Sequence, residues 1–177
     1  MGSIREYALS IVSVTIFCML IIANPKVIAQ DSEWVGKGDA LNRQGNFSEA
    51  ITAYNKALEL DPNDKQAWVG KGDALNRQGN FSEAITAYNK ALELDPNYVN
   101  AWDGKGWSLN ELGNYSQAII YLDKALEIDP KHIDALVFKS LALSNIGNQT
   151  GAKYYFDKAF ETDPRSPALD RLTRSTK

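Results

Sequence analysis

Between Trp34 and Asn63 the apolar residues recur three and four positions apart, the spacing of one helix face, and they do so twice. Trp34, Gly38 and Leu41 mark a first helix over about Ser32 to Gln44. Gly45-Asn46 interrupts it, because glycine readily takes the positive φ that closes a helix. Phe47, Ala50, Ile51, Tyr54, Ala57 and Leu58 then mark a second helix, ending near Leu60 where Asp61-Pro62 forbids continuation. Asn46 followed by Glu49 is a capping-box pattern, so the Asn46 side chain is expected to accept from a free N–H of the second helix. Gly38, Ala50 and Ala57 leave space between the two helices for Trp34, Tyr54 and Leu58 to fill.

The same thirty letters return unchanged from Trp68 to Asn97, and looser copies begin at Trp102 and Leu136. Pro62, Pro96, Pro130 and Pro164 follow one another at 34-residue intervals. A period of this size means stacked supersecondary units that bury their apolar faces only against each other. The expected units are 31–64, 65–98, 99–132 and 133–166, followed by a short element and tail over 167–177. In the last unit Leu136 replaces Trp, Ser140 replaces Gly, Gln149 replaces Phe and Lys153 replaces Ile, erosion that suits an end unit with a polar outer face. Leu169 and Leu172, on a short helix over Ala168 to Arg174, are expected to pack on that unit.

Trp34, Gly38, Leu41, Ala50, Tyr54, Ala57 and Pro62 at these offsets resemble the tetratricopeptide repeat. The resemblance covers about Asp31 to Ser166 and implies an all-α, right-handed α-solenoid of four helix–turn–helix repeats with a short C-terminal capping helix. One departure recurs: Lys37, Lys71, Lys105 and Lys139 stand where the family usually has Leu, and their stems are expected to lie on the packed surface with the ammonium in water.

The resemblance further implies that the first helix of each unit lines a concave face. From the first unit this brings in Val35, Asp39, Asn42 and Arg43, and from the second Val69, Asp73, Asn76 and Arg77. The third supplies Asp103, Trp107, Asn110 and Glu111, and the fourth Val137, Leu141, Ser144 and Asn145. Asn42, Asn76 and Asn110 form a ladder of amides suited to the backbone of an extended peptide. Asp39–Arg43 and Asp73–Arg77 are acid-first i, i+4 pairs that suit either helix support or ligand contact. Trp107 has no counterpart in the other units and is the best single candidate for an anchor, extra packing being its alternative role. Chaperone-binding members of the family grip a C-terminal carboxylate with Lys and Asn, but Val35 and Asp39 occupy the first of those positions, so that mode looks absent.

Residues 1–29 stand outside the repeats. Arg5 precedes an apolar run from Tyr7 to Ala23, and Asn24-Pro25 is read as a helix break before Val27-Ile28-Ala29. This is the layout of a secretory signal with cleavage after Ala29. The run is also just long enough to act as a retained membrane anchor. Either outcome places the repeats outside the cytoplasmic membrane. Asn46-Phe47-Ser48, Asn80-Phe81-Ser82, Asn114-Tyr115-Ser116 and Asn148-Gln149-Thr150 are N-glycosylation acceptor patterns, each in the turn of its unit.

Composition narrows the functional classes. With 19 basic and 22 acidic residues interspersed and a net charge of −3, the chain lacks the basic patch that nucleic acid demands. Membrane contact is expected only through residues 7–23, and only if the signal is not cleaved. Cys18, in the apolar run, is the one cysteine, and His132, in the turn between units 3 and 4, is the one histidine and is read as a solvated turn residue. No catalytic motif, metal-ligand spacing or cofactor cradle is present. The expected function is a non-catalytic interaction scaffold that holds a protein or peptide segment in its groove. The alternative is a structural spacer or assembly subunit of the cell envelope, which the duplicated first two units favour.

Overall fold

The computed structural model describes residues 25–169, and the side chains of 30–169. Among these, eight α-helices follow one another as four hairpins, with no strand: α1 (Pro25–Arg43) and α2 (Phe47–Leu60), α3 (Lys65–Gln78) and α4 (Phe81–Leu94), α5 (Val99–Glu111) and α6 (Tyr115–Ile128), α7 (Ile133–Asn145) and α8 (Gln149–Thr162). Each second helix packs on the first helix of the next hairpin. Successive first helices also touch, whereas successive second helices make no comparable contact. The stack therefore curves, with α1, α3, α5 and α7 on its inner side.

The turns inside the hairpins follow the sequence closely. Gly45, Gly79, Gly113 and Gly147 all sit at φ between 75° and 85°, the left-handed conformation that glycine tolerates best. Between hairpins, the Asp61, Asp95, Asp129 and Asp163 carboxylates accept from the backbone N–H two residues on, closing the turn around the proline. The Trp68 and Trp102 indoles donate back to the carbonyls of Pro62 (2.9 Å) and Pro96 (2.8 Å), tying each new hairpin to the stop before it.

The seam is built on small residues. Tyr54 and Tyr88 are fully buried. A Cβ added at Gly38 or Gly70 would come within 2.6 Å or 2.5 Å of the Tyr54 ring. For Tyr88 the corresponding glycines are Gly72 (2.6 Å) and Gly104 (2.4 Å). Each tyrosine ring thus lies between a glycine of its own hairpin and one of the next.

Several expectations need correction. Helix α1 begins at Pro25, seven residues before the expected Ser32. Proline fits the first helical position, where its missing N–H costs nothing, so it starts the helix where a break was expected. The predicted cleavage point after Ala29 falls inside this helix, and the apolar run of 7–23 lies outside the described residues.

The Asn46 cap is not formed. Asn46, Asn80 and Asn114 start their helices at ψ of 55–63° without a side-chain bond to the helix, short of the extended backbone a capping residue usually adopts. Asn148, at ψ 75°, does accept from Gly151 N–H.

Lys37, Lys71 and Lys105 lie over the Trp34, Trp68 and Trp102 rings as expected of amphipathic stems. Lys139 does not reach water: it is buried, paired with Asp123 and bonded to the Tyr155 hydroxyl.

At the C-terminal end the described residues form a 3-10 turn, Pro167–Leu169. Ala168 and Leu169 pack against Leu136, Val137 and Ala159. Leu172 lies outside the described residues. The last hairpin is less polar outside than expected, since Tyr154 and Phe160 are exposed.

Candidate functional site

On the inner face, a cavity of about 220 Å³ opens where the third and fourth hairpins meet. Five of the residues assigned to the groove line it: Asn42, Asp73, Arg77, Asp103 and Trp107. Asn100, Gly104, His132, Asp134 and Phe138 complete the wall and were not anticipated.

Laying the units over one another at 34 residues explains the location. Where the second unit has Val69, Asp73 and Gly70, the third and fourth carry Asp103, Trp107 and Phe138. The inter-unit turn that holds Asp64 and then Tyr98 holds His132 at the third junction, and Gln66 and Asn100 become Asp134. These five departures from the internal repeat meet at the cavity, and comparison between units is the sequence signal that points to them.

Two of these exchanges are coupled. In the first two hairpins the buried tyrosine donates to an inner-face carboxylate, Tyr54 to Asp39 (2.6 Å) and Tyr88 to Asp73 (2.7 Å). In the third, Leu122 replaces the tyrosine and Trp107 replaces the aspartate. Phe138, standing where Gly70 and Gly104 stand earlier, fills the space, and Trp107 stacks on it at 5.5 Å with the planes 5° apart. The half-buried Trp107 therefore faces the cavity from a fixed position, its indole donating to Glu111 at 3.3 Å.

The electrostatics are crowded with carboxylates. Burial pushes the Asp73 carboxyl up to about 7, reinforced by the negative charge of Asp103 and Asp134, while the Tyr88 hydroxyl and Arg77 act the other way. His132 is not a solvated turn residue: it is largely buried, with Nε2 3.5 Å from Asp103 Oδ2 and Nδ1 4.0 Å from Asp129 Oδ2. Burial disfavours its charged form, yet Asp103, Asp134 and Asp129 together hold the imidazole above its ordinary value.

The amide ladder has a different role from the one expected. Asn76 is buried; its amide donates to Tyr88 Oη (3.1 Å) and the Gly104 carbonyl (3.4 Å), and its oxygen accepts from Ser108 (2.7 Å). Asn110 donates to the Phe138 carbonyl at 2.8 Å. These two amides bind helical carbonyls of the next hairpin, so they tie the stack together where contact with a peptide backbone was expected. Asn145 donates to Leu141 of its own helix, and Arg43 and Glu111 are exposed. The acceptor asparagines Asn46, Asn80, Asn114 and Asn148 are all exposed in the hairpin turns, away from the cavity.

Comparison with known proteins bears on this architecture. The family model described as Tetratricopeptide repeat matches residues 35–99 and 78–133, together more than half of the 177-residue chain. No curated protein matches it. Among solved structures, a thermophilic TPR protein of Thermus thermophilus is 19% identical with a TM-score of 0.74, over 82% of each chain. Pseudomonas aeruginosa PilF is 22% identical with a TM-score of 0.73, over 81% of this chain and 66% of its own. The first TPR of Spaghetti (RPAP3), bound to an HSP90 peptide, is 23% identical with a TM-score of 0.64, over 67% of this chain and 94% of its own.

Proposed function

Since the chain belongs to the tetratricopeptide repeat family, we propose that it is a non-catalytic interaction scaffold whose inner face holds an extended segment of a partner protein, with Trp107 as the central contact. The observation that carries this reading is the cavity walled by Trp107 on Phe138, two residues that depart from the internal repeat. An aromatic side chain already held in place loses little freedom on binding, which is what makes such residues dominate interfaces. The peptide held by the RPAP3 domain supports the idea that this fold accommodates a chain segment. The carboxylate-gripping mode remains unsuited here, since Val35 and Asp39 stand at the positions it needs.

The scaffold acts outside the cytoplasmic membrane, delivered by residues 1–29 as a cleaved signal or held by them as an anchor, and the exposed acceptor asparagines are available for glycan attachment. Affinity capture from envelope extract with wild type and Trp107→Ala tests the groove: the variant should lose the partner while keeping its helical signal and a cooperative melting transition, lowered by the lost stacking on Phe138. Mass spectrometry of the same material should show a mature terminus at Gln30 or an intact start, and any sugar mass on Asn46, Asn80, Asn114 or Asn148. Retention of every partner by Trp107→Ala would favour the second reading, a structural spacer. The near-identical first and second units suit that role, because duplication lengthens a stack without designing a new site.

A further inference from the structure

Beyond partner capture, the third junction brings three metal-ligating side chains together. Ligand atoms of Asp103, His132 and Asp134 all lie within 4.8 Å of one another. They come from two hairpins and from a turn, so the fold assembles the group and no local motif announces it. The backbone that carries the imidazole is held on both sides. His132 N–H donates to the Asp129 carbonyl, and its own carbonyl accepts from Leu136 N–H in the first turn of α7, both at 3.1 Å. Nδ1 lies 4.0 Å from the Asp129 carboxylate, on the side where an outer partner would orient a metal-bound histidine. Nε2 is buried and faces Asp103 Oδ2 at 3.5 Å.

We propose that Asp103, His132 and Asp134 bind a divalent first-row transition ion such as zinc. One nitrogen and two carboxylate donors suit zinc, which takes imidazole and carboxylate together and leaves a position open when the protein supplies three ligands. Calcium and magnesium prefer all-oxygen sets. Bonds of about 2.0–2.2 Å set donor atoms roughly 3.3–3.5 Å apart. The 3.5 Å between His132 Nε2 and Asp103 Oδ2 already meets this, and modest rotation of a carboxylate closes the wider gaps. Asp103, His132 and Asp134 all line the cavity of about 220 Å³, so an ion and its waters fit without disturbing the packed seam. No other unit carries this trio: at the second junction the equivalent positions are Val69, Tyr98 and Asn100.

The test exploits the single histidine. Full-length chain carrying Cys18→Ser, which removes the one thiol, is titrated with zinc chloride by calorimetry and with cobalt chloride by visible absorption, while the imidazole nitrogens are followed by NMR. One ion per chain should bind, shifting Nε2 and leaving Nδ1 protonated. His132→Ala should abolish binding. Asp134→Asn should weaken it by well over tenfold. Helical signal and melting identify any variant that fails to fold, and the NMR assignment stands on the unsubstituted histidine regardless. Unmoved imidazole resonances at saturating zinc, or equal affinity in His132→Ala, would overturn the assignment, as would tighter binding of calcium than of zinc.

Discussion

Replacing Gly104 with alanine probes the seam at its tightest point. The new Cβ would sit 2.4 Å from Tyr88 Cζ and 2.5 Å from Cε1, closer than real carbon contacts come. The ring cannot retreat: it is fully buried, its other side meets Gly72, and its hydroxyl is bonded to Asp73 and Asn76. Overpacking of this kind costs about 1–3 kcal/mol, while alanine over glycine in a helix returns up to ~1 kcal/mol. A net loss of up to about 2 kcal/mol is expected, and the gap to an unobstructed Gly→Ala exchange is the full overpacking cost of about 1–3 kcal/mol. Gly36 is the control, since it occupies the equivalent position in α1 with nothing within 4 Å of an added Cβ. There the propensity gain stands alone, so Gly36→Ala should stabilise by up to ~1 kcal/mol. Urea unfolding followed by tryptophan fluorescence and circular dichroism gives both values. Adding Tyr88→Leu, the choice the third unit makes at Leu122, should recover part of the Gly104→Ala loss, because two touching sites do not add independently. If Gly104→Ala were as stable as Gly36→Ala, the interlocked ring could not be what sets the distance between hairpins.

Three further outcomes follow from the same structure. Asn76→Ala removes the bonds to Tyr88, Gly104 and Ser108 inside the stack and should cost about 1–3 kcal/mol in urea unfolding, although Asn76 was expected to face ligand. Burial, with Asp64 and Asp61 adding to it, raises the Asp31 carboxyl from 3.8 to about 6. The folded state then holds this proton more tightly than the unfolded chain, so its stabilising effect is complete below pH 3.8 and is lost as pH rises through about 6. Asp31→Asn should therefore melt higher than wild type at pH 7, with the gap closing toward pH 4 in scanning calorimetry. Asn148→Ala loses the one side-chain cap seen among the acceptor asparagines, to Gly151 at 2.9 Å, and should destabilise by roughly 1 kcal/mol, whereas Asn46→Ala, lacking such a bond, should change less.

The hairpins were legible because their signals are local. Glycine at a left-handed turn, proline at a stop and apolar spacing of three and four act within a few residues of one another. The start of α1 was misread because proline both ends helices and begins them, and the letters alone do not say which. The roles of Asn76 and His132 were invisible for another reason: their partners lie about one repeat away, Asn76 on Gly104 and Ser108, His132 on Asp103. An asparagine spaced like a groove residue and an asparagine tying two helices look identical until the next helix is in place. Trp107 was legible because it breaks the internal repeat, and the same test applied to every position would also have singled out His132, Asp134 and Phe138.

Hydrogen–deuterium exchange of the chain with and without the partner recovered by affinity capture addresses the inner-face claim most directly. Protection should concentrate on α5 and the start of α7, around Asp103, Trp107 and Phe138. Protection confined to the outer helices α2, α4, α6 and α8, with the junction unchanged, would place recognition on the opposite surface and contradict the account.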